Sequence, residues 1–312
     1  MDTRKELKTL WKTCFGDSDE FVNLFFQKIY KPENCLYIAE NGAIISAVYM
    51  LPYTMTWYGN VLPVGYIYAA ATHPDYRNRG VMRKLLEQAF WKMKERGDFL
   101  TVLIPAEPWL FGYYEKSGYV ASFSYSTETF RYTEHVDGTS ILQITTFSHY
   151  PIEQVYNYFN RKMQERNLCM QHYFDDFKML AGYLKEDRSE IFTIGSKTEI
   201  CGLAFVREEN GNPVVKELLS DNDIIRKQML LHICKTYGKE EIVLELPASG
   251  RNRKTRGMAQ IVNRETAIDL WASVFKKPDY FKEKLRNTGT KELTKLFLHS
   301  RDTQPYMSLM MD

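Results

Sequence analysis

The spacing of apolar and polar positions changes several times along the first third of the chain. Behind Asp17 and Glu20, which have the spacing of a capping pair, Phe21, Leu24 and Phe25 follow a helical period, which predicts a helix near 18–30. From Leu36 onward, short apolar runs alternate with turn residues, and Asn41-Gly42 is a strong hairpin signal because a type I′ turn needs positive φ at both central residues. Counting these runs predicts an antiparallel meander of about four strands.

The next segment combines a strand, a basic loop, a helix and a second strand. The run 65–72 is typical of a last meander strand, and the chain then passes through Arg77-Asn78-Arg79-Gly80. Apolar residues recur at every fourth position from Val81 to Met93, which predicts a helix with one apolar face that stops at Gly97. The nearly continuous apolar run 99–104 is typical of a strand buried on both faces.

The second half of the chain repeats this order. The pattern predicts a strand over 214–219, a helix over 223–237 and a buried strand over 242–246. Both buried strands run into a Pro-Ala pair, at Pro105-Ala106 and at Pro247-Ala248, which favours an internal duplication. The two copies differ in the link between strand and helix, because Ser220-Asp221-Asn222 contains neither Gly nor Arg.

The remaining segments predict shorter elements. A strand-like run covers 141–147, and Pro151 opens a helix with one apolar face. After a loop over 249–257, the pattern predicts a short strand over 259–262 and two helices.

Composition limits the classes of protein that this chain can belong to. Its 312 residues, 44% hydrophobic and 26% charged, are those of a globular protein of two domains, or of two domains and a remnant, which excludes long disorder and coiled coil. The net charge of +2 does not favour attraction of the whole surface to nucleic acid or to an anionic membrane. We therefore expect no nucleic-acid and no membrane partner.

The cysteines and the N-terminus indicate the compartment. Five scattered cysteines include no C-x-x-C pair and no histidine at zinc-finger spacing, so we expect reduced thiols and no metal site. The first residues are charged where a signal peptide would be apolar, and no apolar stretch reaches the roughly 18 residues of a membrane span. The sequence therefore predicts a cytoplasmic protein.

The basic loop has the chemistry of an anion site. The first amides of a helix lack intrahelical acceptors, and the helix dipole favours negative charge at that end. Gly80 lets a phosphate approach the backbone, and Arg77, Arg79 and Arg83 add positive charge. No Gly-Lys-Ser/Thr follows and the G-x-G-x-x-G glycines are absent, so the loop is neither a Walker loop nor a dinucleotide fingerprint. We therefore expect a ligand that contains a pyrophosphate.

The order of meander, strand, Arg-x-x-Gly loop, helix and strand, followed by Tyr-x-x-x-Gly-Tyr over 114–119, resembles the GNAT acetyltransferases. The Arg-Gly-apolar-apolar-Arg form over 79–83 and the degenerate second copy are similar to the subgroup called enhanced intracellular survival (Eis) acetyltransferases. The resemblance implies an α+β (mixed α/β) fold of two GNAT-like units, each with a mixed, mainly antiparallel sheet flanked by helices. The corresponding domains would be 1–135, a degenerate 136–250, and a shortened sterol-carrier-like α/β segment over 251–312.

The resemblance also implies acetyl-CoA as the co-substrate and assigns the residues that bind it. The backbone of Ala70, Ala71 and Thr72 would pair with the pantetheine arm as an added strand does. The pyrophosphate would lie on the loop and the first helical turn, formed by Arg77, Asn78, Arg79, Gly80, Val81, Met82 and Arg83. No metal is implied.

Two catalytic residues follow from the same resemblance. Tyr114 matches the tyrosine that protonates the leaving thiolate, with Tyr113 as the competing candidate. The α-carboxylate of Asp312 would accept the proton of the amine, and a water relay to Glu107 is the alternative.

The resulting hypothesis is an N-acetyltransferase that transfers acetyl directly to a primary amine of a small molecule or peptide. The acceptor of the Eis-like enzymes suggests a cationic amine, and assembly into a homo-oligomer stays open. The alternatives are a non-catalytic acyl-CoA-binding sensor and a lipid carrier centred on the tail.

Overall fold

The computed structural model describes residues 2–132, 143–146, 149–186, 189–248, 253–299 and 303–310, with the side chains of 183–186 left out. The chain folds into two compact units. The first unit contains the residues up to Phe123 together with 255–305, and the second contains 124–254 together with the tail from Tyr306. The boundaries near 135 and 250, like the sterol-carrier-like segment, stay predictions about independent domains.

The first unit begins with two helices and a three-stranded meander, continues through a strand–helix–strand crossover, and is completed by the later segment. Its elements are α1 Thr3–Phe15, α2 Asp19–Lys28, β1 Cys35–Glu40, β2 Ala43–Trp57, β3 Asn60–Thr72, α3 Val81–Arg96, β4 Leu100–Leu103, α4 Pro108–Lys116, β12 Lys254–Ile261, α8 Arg264–Val274, α9 Asp279–Arg286 and α10 Thr290–Leu298. Its strands follow the order β1-β2-β3-β4-β12, in which only the β3–β4 pair is parallel.

The second unit has the same mixed character. Its elements are β5 Val120–Arg131, which starts in the first unit, β6 Gln143–Thr146, α5 Ile152–Gln164, β7 Met170–Gln171, α6 Phe174–Glu186, β8 Ser189–Gly195, β9 Ile200–Glu209, β10 Asn212–Ser220, α7 Asp223–Tyr237 and β11 Glu241–Pro247. The strands follow the order β5-β11-β10-β9-β8-β6, and the β10–β11 pair is parallel. The mixed α/β fold class and the second strand–helix–strand order are thus confirmed.

The meander prediction was wrong in its number of strands. Three strands, β1 to β3, precede α3, because β2 continues to Trp57 with Leu51, Tyr53 and Met55 buried instead of breaking into two strands. The first hairpin has the predicted turn, since Asn41 and Gly42 both have positive φ. The second turns at Tyr58 and Gly59, one residue before the Gly-Asn pair seen in the sequence.

Two other local predictions need correction. The N-cap of α2 is Ser18, whose side chain accepts from the amide of Phe21, while Asp17 accepts a hydrogen bond from the indole of Trp11 at 2.7 Å. Among the described residues, three helices follow β12 instead of two. Helix α1 had no sequence prediction, and its apolar residues Leu7, Leu10 and Trp11 are buried.

Residues 255–305 complete the core of the first unit. β12 pairs antiparallel with β4, from Met258 opposite Leu103 to Ile261 opposite Leu100. The rings of Trp57 and Phe297 stack at 4.3 Å, and the indole of Trp57 donates to the carbonyl of Phe297 at 2.9 Å. Long-range pairing of this kind leaves no periodic signal near either partner.

Candidate active site

The loop between β3 and α3 turns back on itself through two left-handed residues. A short 3-10 turn over Pro74–Tyr76 follows β3, and Asn78 and Gly80 then adopt φ values of 63° and 73°. Glycine tolerates this conformation without penalty, and asparagine tolerates it better than most residues. The exposed residues 77–80 therefore form a tight loop that delivers the chain into α3.

The N-terminus of α3 has no side-chain cap. Gly80 is the N-cap and has no side chain to offer, and the first intrahelical bond runs from the amide of Lys84 to the carbonyl of Gly80 at 3.2 Å. The amides of Val81, Met82 and Arg83 come before that bond, so they have no acceptor within the helix. A Cβ built on Gly80 would meet nothing within 4 Å, so the approach to these amides is open.

Three arginines lie in the loop and in the first turn of α3, and each side chain has a different contact. The Nε of Arg77 donates to the carbonyl of Thr72 at 3.2 Å, and the guanidinium of Arg79 lies 4.9 Å from the ring centroid of Tyr76. Arg83 pairs with Glu87 at 3.9 Å, with both side chains about 70% exposed (70% and 68%). An exposed pair of this kind is weak, so Arg83 can turn to a ligand at little cost.

The end of β3 extends beyond its partner strand. The parallel register of β3 with β4 covers only Val64–Tyr66, whereas β3 continues to Thr72. A β-bulge lies between, where Ala69 has a φ of 43° and the pairing with β2 shifts register. On the β2 side, the carbonyl of Ala71 accepts from the hydroxyl of Ser46 at 2.9 Å. The strand end 70–72 thus has one edge paired with β2, and its opposite edge lies beyond the register with β4.

Helix α4 places two adjacent tyrosines in different environments. Tyr114 is buried in an apolar cluster with Leu85, Leu103 and Tyr119, and this burial raises the pKa of its phenol above the ordinary value. Tyr113 is half-buried, and its pKa is also raised by burial, with the positive charge of Arg83 acting in the opposite direction. The structure therefore brings Tyr113 into the electrostatic range of Arg83 in the first turn of α3, a pairing that the sequence did not predict.

Backbone conformation and close packing explain why a glycine occupies position 118 in the Tyr-x-x-x-Gly-Tyr segment. Its φ is 96°, and a Cβ at this position would lie 2.6 Å from the amide nitrogen of Gln260 on β12. Tyr119, the next residue, shares a hydrogen bond of 2.9 Å with the hydroxyl of Thr101 on β4. The segment therefore fixes the end of α4 against the sheet of the first unit.

In the second unit, the positions equivalent to the N-terminus of α3 and to the end of β3 are occupied by side-chain hydrogen bonds and ion pairs. The side chain of Asn222 caps α7 by accepting from the amide of Ile225 at 3.0 Å. On β10, next to a register shift, the buried Glu217 accepts two hydrogen bonds from Arg166 at 2.8 and 3.0 Å. Lys216 bridges to Glu245 of the neighbouring β11 at 2.6 Å.

The tail is anchored in the second unit by an isolated β-bridge and by side-chain hydrogen bonds. Tyr306 forms a parallel bridge with Cys169, and its hydroxyl donates to Glu217 at 3.2 Å. The ring of His172, whose pKa is lowered by burial, lies 2.8 Å from the carbonyl of Ser308. Asp312, the candidate base, lies outside the described residues. The alternative base Glu107 is exposed as the N-cap of α4.

Within the described ranges, no group of three or more His, Cys, Asp or Glu side chains could hold a metal ion. The search of those same residues also found no helix long and apolar enough to cross a membrane.

Residues 2–121 match the family model described as an acetyltransferase (GNAT) domain. This part of the chain is thus similar to GNAT acetyltransferase domains, and the matched residues include the loop, the open N-terminus of α3 and both tyrosines. The match supports an N-acetyltransferase. No curated protein matches the chain.

Solved structures share the fold at low sequence identity. A GCN5-related N-acetyltransferase from Anabaena variabilis ATCC 29413 has a TM-score of 0.67 at 17% identity, over 85% of this chain and 71% of its own. A conserved protein of unknown function from Enterococcus faecalis V583, a probable N-acyltransferase, has a TM-score of 0.69 at 15% identity, over 85% and 72%. Eis1 from Mycobacterium abscessus has a TM-score of 0.64 at 12% identity, over 85% and 72%. These likenesses extend well beyond residues 2–121 and concern the fold alone.

Proposed function

We propose that the protein is an acetyl-CoA-dependent N-acetyltransferase that transfers acetyl directly from the thioester to a primary amine. The observation that carries the proposal is the uncapped N-terminus of α3, open to a ligand and flanked by Arg77, Arg79 and Arg83. Free helix amides and guanidinium groups bind phosphate oxygens by charge-assisted hydrogen bonds. The GNAT match over the same residues supports the choice of cofactor.

In this proposal the cofactor extends from the loop along β3. The backbone around Asn78 and Gly80 and the amides of Val81–Arg83 hold the pyrophosphate. The pantetheine arm pairs with the backbone of Ala70, Ala71 and Thr72 at the strand edge beyond the β4 register, as an extended peptide adds to a sheet edge. The thioester then lies inside the unit, on the side of Tyr114.

The reaction needs one proton to leave the amine and one to reach the sulfur. The amine nitrogen attacks the acetyl carbonyl carbon, the new C–N bond forms, and the C–S bond breaks with its electron pair on sulfur. Tyr114 donates its phenolic proton to this thiolate, the amine loses its proton to the base, and that proton returns through solvent to the phenolate, so no net proton is gained or lost. Because the raised pKa keeps the phenol protonated at neutral pH, Tyr114 is present in the donating form throughout.

The proton acceptor for the amine is the second half of the proposal. We assign this role to the α-carboxylate of Asp312, with Glu107 acting through water as the rival. The anchoring of Tyr306 and Ser308 gives the preceding residues a fixed position in the second unit. Deleting Asp312 alone leaves these anchors in place, and it should abolish turnover while acetyl-CoA still binds.

The matched variant Asp312→Asn separates the two carboxylates of the last residue. It removes the side-chain carboxylate and keeps the α-carboxylate, so we expect it to retain turnover. Full activity after deletion of Asp312, combined with a loss in Glu107→Gln, would instead identify the water relay as the base.

The test of the proposed function is isothermal titration with acetyl-CoA. Gly80→Glu places a carboxylate over the open amides, so we expect it to abolish binding that the parent shows. Gly97→Glu is the matched control: Gly97 has a φ of 88°, also has nothing within 4 Å, and lies at the other end of α3. Equal binding by both variants, or no binding by the parent, would overturn the loop assignment.

A second measurement distinguishes an enzyme from a binding module. Acetyl-CoA with primary amines, including polycationic ones, should release free thiol at a rate that depends on the amine. Thiol release that no amine accelerates, with binding retained, would replace the enzyme by an acyl-CoA sensor.

We further propose membership of the Eis-like subgroup. The repeated strand–helix–strand order and the fold likeness to Eis1 support it. All five cysteines lie within the described residues and none of them forms a disulfide, which suits the reducing cytoplasm.

A further inference from the structure

A surface groove in the first unit is lined by residues outside the loop and the first turn of α3. It lies between α4 and α10, and the start of β5 and part of β12 form its floor. All of its lining residues belong to the first unit. Its volume is about 280 Å³, close to the lower end of small-molecule sites. Since the described lining includes no residue of 70–83, the groove differs from the proposed cofactor site.

The floor of the groove is apolar. Tyr119 and Met258 belong to the buried cluster of the first unit, and Phe111 of α4 packs against the same cluster. Val120 is buried beside them, and Ala121 is a small exposed residue of the lining. A ligand that covers these residues with an apolar group gains free energy by removing apolar surface from water.

The α10 side of the groove is cationic. Lys291, Lys295 and His299 follow one another at intervals of four residues, so they lie along one side of the helix. Leu293 and Phe297 of the same helix are buried. The two lysines repel each other at this spacing, and His299 adds a further positive charge when it is protonated. An anion bound between these side chains would remove that repulsion.

The α4 side of the groove carries one carboxylate, that of Glu115. It lies 3.8 Å from the ammonium of Lys291, and the two side chains are 65% and 38% exposed. An exposed pair of this kind is weak, so Lys291 can exchange Glu115 for a ligand at little cost. Lys295 is exposed and forms no ion pair with the part of the chain that the structure describes. Two lysines facing one carboxylate give the groove a net positive charge.

We propose that this groove binds a small carboxylate whose remaining part is apolar, such as an arylalkanoate. The carboxylate binds the ammonium groups of Lys291 and Lys295, and the apolar part covers Phe111 and Met258. The cationic helix and the apolar floor complement the two ends of such a ligand, whereas inorganic phosphate would satisfy the lysines alone. The site goes beyond the proposed transferase function and does not depend on it.

Isothermal titration of the full chain with 3-phenylpropanoate tests the proposal. We expect the parent to bind it, and to bind 3-phenylpropan-1-ol and inorganic phosphate about tenfold more weakly, because each supplies one end of the ligand only. Equally tight phosphate would indicate a simple anion cluster, and equally tight alcohol would indicate an apolar cleft. Either result, or no binding of 3-phenylpropanoate, would overturn the proposal.

The first variant tests the cationic side of the groove. Lys295→Gln removes one ammonium at an exposed position and should weaken the binding of 3-phenylpropanoate about tenfold, because a hydrogen bond between charged groups is lost. Lys284→Gln is the matched control, since Lys284 is also an exposed lysine in the last turn of a helix and does not line the groove. Equal affinities in the two variants would contradict the assignment of the carboxylate to α10.

The second variant blocks the groove while both lysines stay in place. Ala121→Trp fills the space above the floor and should abolish binding of 3-phenylpropanoate. Thr127→Trp, at an exposed position further along β5, should bind like the parent. Gly80→Glu should also bind like the parent, because Gly80 lies outside the lining. Binding retained in Ala121→Trp, or lost in Gly80→Glu, would overturn the location.

This proposal and the proposed function can fail separately, because none of these titrations contains acetyl-CoA. A parent that binds 3-phenylpropanoate and not acetyl-CoA would keep the groove and lose the transferase. A parent that binds acetyl-CoA and not 3-phenylpropanoate would keep the transferase and lose the groove.

Discussion

The two strand–helix–strand copies begin their helices in opposite ways. In the first copy, Gly80 leaves the N-terminus of α3 without a side-chain cap, and a Cβ at Gly80 would meet nothing within 4 Å. In the second copy, Asn222 caps α7 with its own side chain. A helix capped by its own residue satisfies its amides internally, whereas an uncapped one exposes donors and a positive dipole to a ligand.

The strands that precede these helices show the same contrast. Each copy has a register shift in its first strand, with Ala69 and Ala70 at the shift in β3 and Lys216 at the shift in the middle of β10. Small residues leave the edge of β3 accessible, while Glu217 and Lys216 of β10 are committed to ion pairs. The first copy thus leaves its helix N-terminus without a side-chain cap, whereas the polar side chains of the second copy are engaged in a cap, in ion pairs and in a contact with the tail.

The largest expected effect is on kcat and concerns Tyr114 of α4, the helix that follows the first copy. Tyr114→Phe should lower kcat by about 10²–10⁴-fold, the usual contribution of a positioned acid, and leave the affinity for acetyl-CoA unchanged. Steady-state kinetics and calorimetry measure the two effects. Tyr113→Phe is the matched control, and a loss of kcat there instead would transfer the acid role to Tyr113. Because burial raises the pKa of Tyr114, kcat should not fall through its ionisation between pH 7 and pH 10.

The next effect concerns the buried ion pair of the second copy. Arg166→Met leaves the carboxylate of Glu217, which is 1% exposed, without its cation and should lower the free energy of unfolding by about 3–5 kcal/mol. Urea denaturation measures this loss. The control Arg161→Met removes an arginine that is 54% exposed and should cost at most about 1 kcal/mol. Similar losses in both variants would show that Arg166 has no special role.

A smaller effect should appear in how the free energy of unfolding of the second unit depends on pH. Burial lowers the pKa of His172, so the unfolded chain takes up a proton near pH 6.5 that the folded chain resists. Stability should therefore fall as the pH drops below about 6.5, by at most about 1.4 kcal/mol per pH unit from this residue. His232, whose pKa is also lowered by burial, adds to the slope. His172→Gln should flatten the profile more than His232→Gln, and an unchanged slope in both would contradict this account.

The smallest effect tests the cap itself. Asn222→Ala should lower the free energy of unfolding by about 1 kcal/mol, because the amide of Ile225 loses its acceptor. Asn222→Ser should restore most of this stability, since serine caps equally well. Neither variant should change the affinity for acetyl-CoA, and a changed affinity would contradict the division of roles between the copies.

Local patterns were sufficient to predict the strand, loop and helix start of the first copy. A strand ending at Thr72, a helix starting at Val81 and a glycine between them follow from turn chemistry and helical periodicity, which act over a few residues. The same patterns predicted the helix over 223–237. They missed α1, whose buried residues are only Leu7, Leu10 and Trp11, and they missed the continuation of β2 past Met50, where burial of Leu51, Tyr53 and Met55 extends the strand through Pro52.

The sequence by itself determined that an uncapped, basic helix N-terminus follows a sheet strand, since Arg77, Arg79 and Gly80 carry that information locally. Only the tertiary structure decided that β12 completes the first unit, that Gly118 faces Gln260, and that Tyr113 lies near Arg83. It also decided that Tyr306 of the tail donates a hydrogen bond to Glu217, a carboxylate that no local sequence pattern distinguishes from a surface residue. The physical reason is that these contacts join residues far apart in the chain, and their energy depends on burial, which no local pattern encodes.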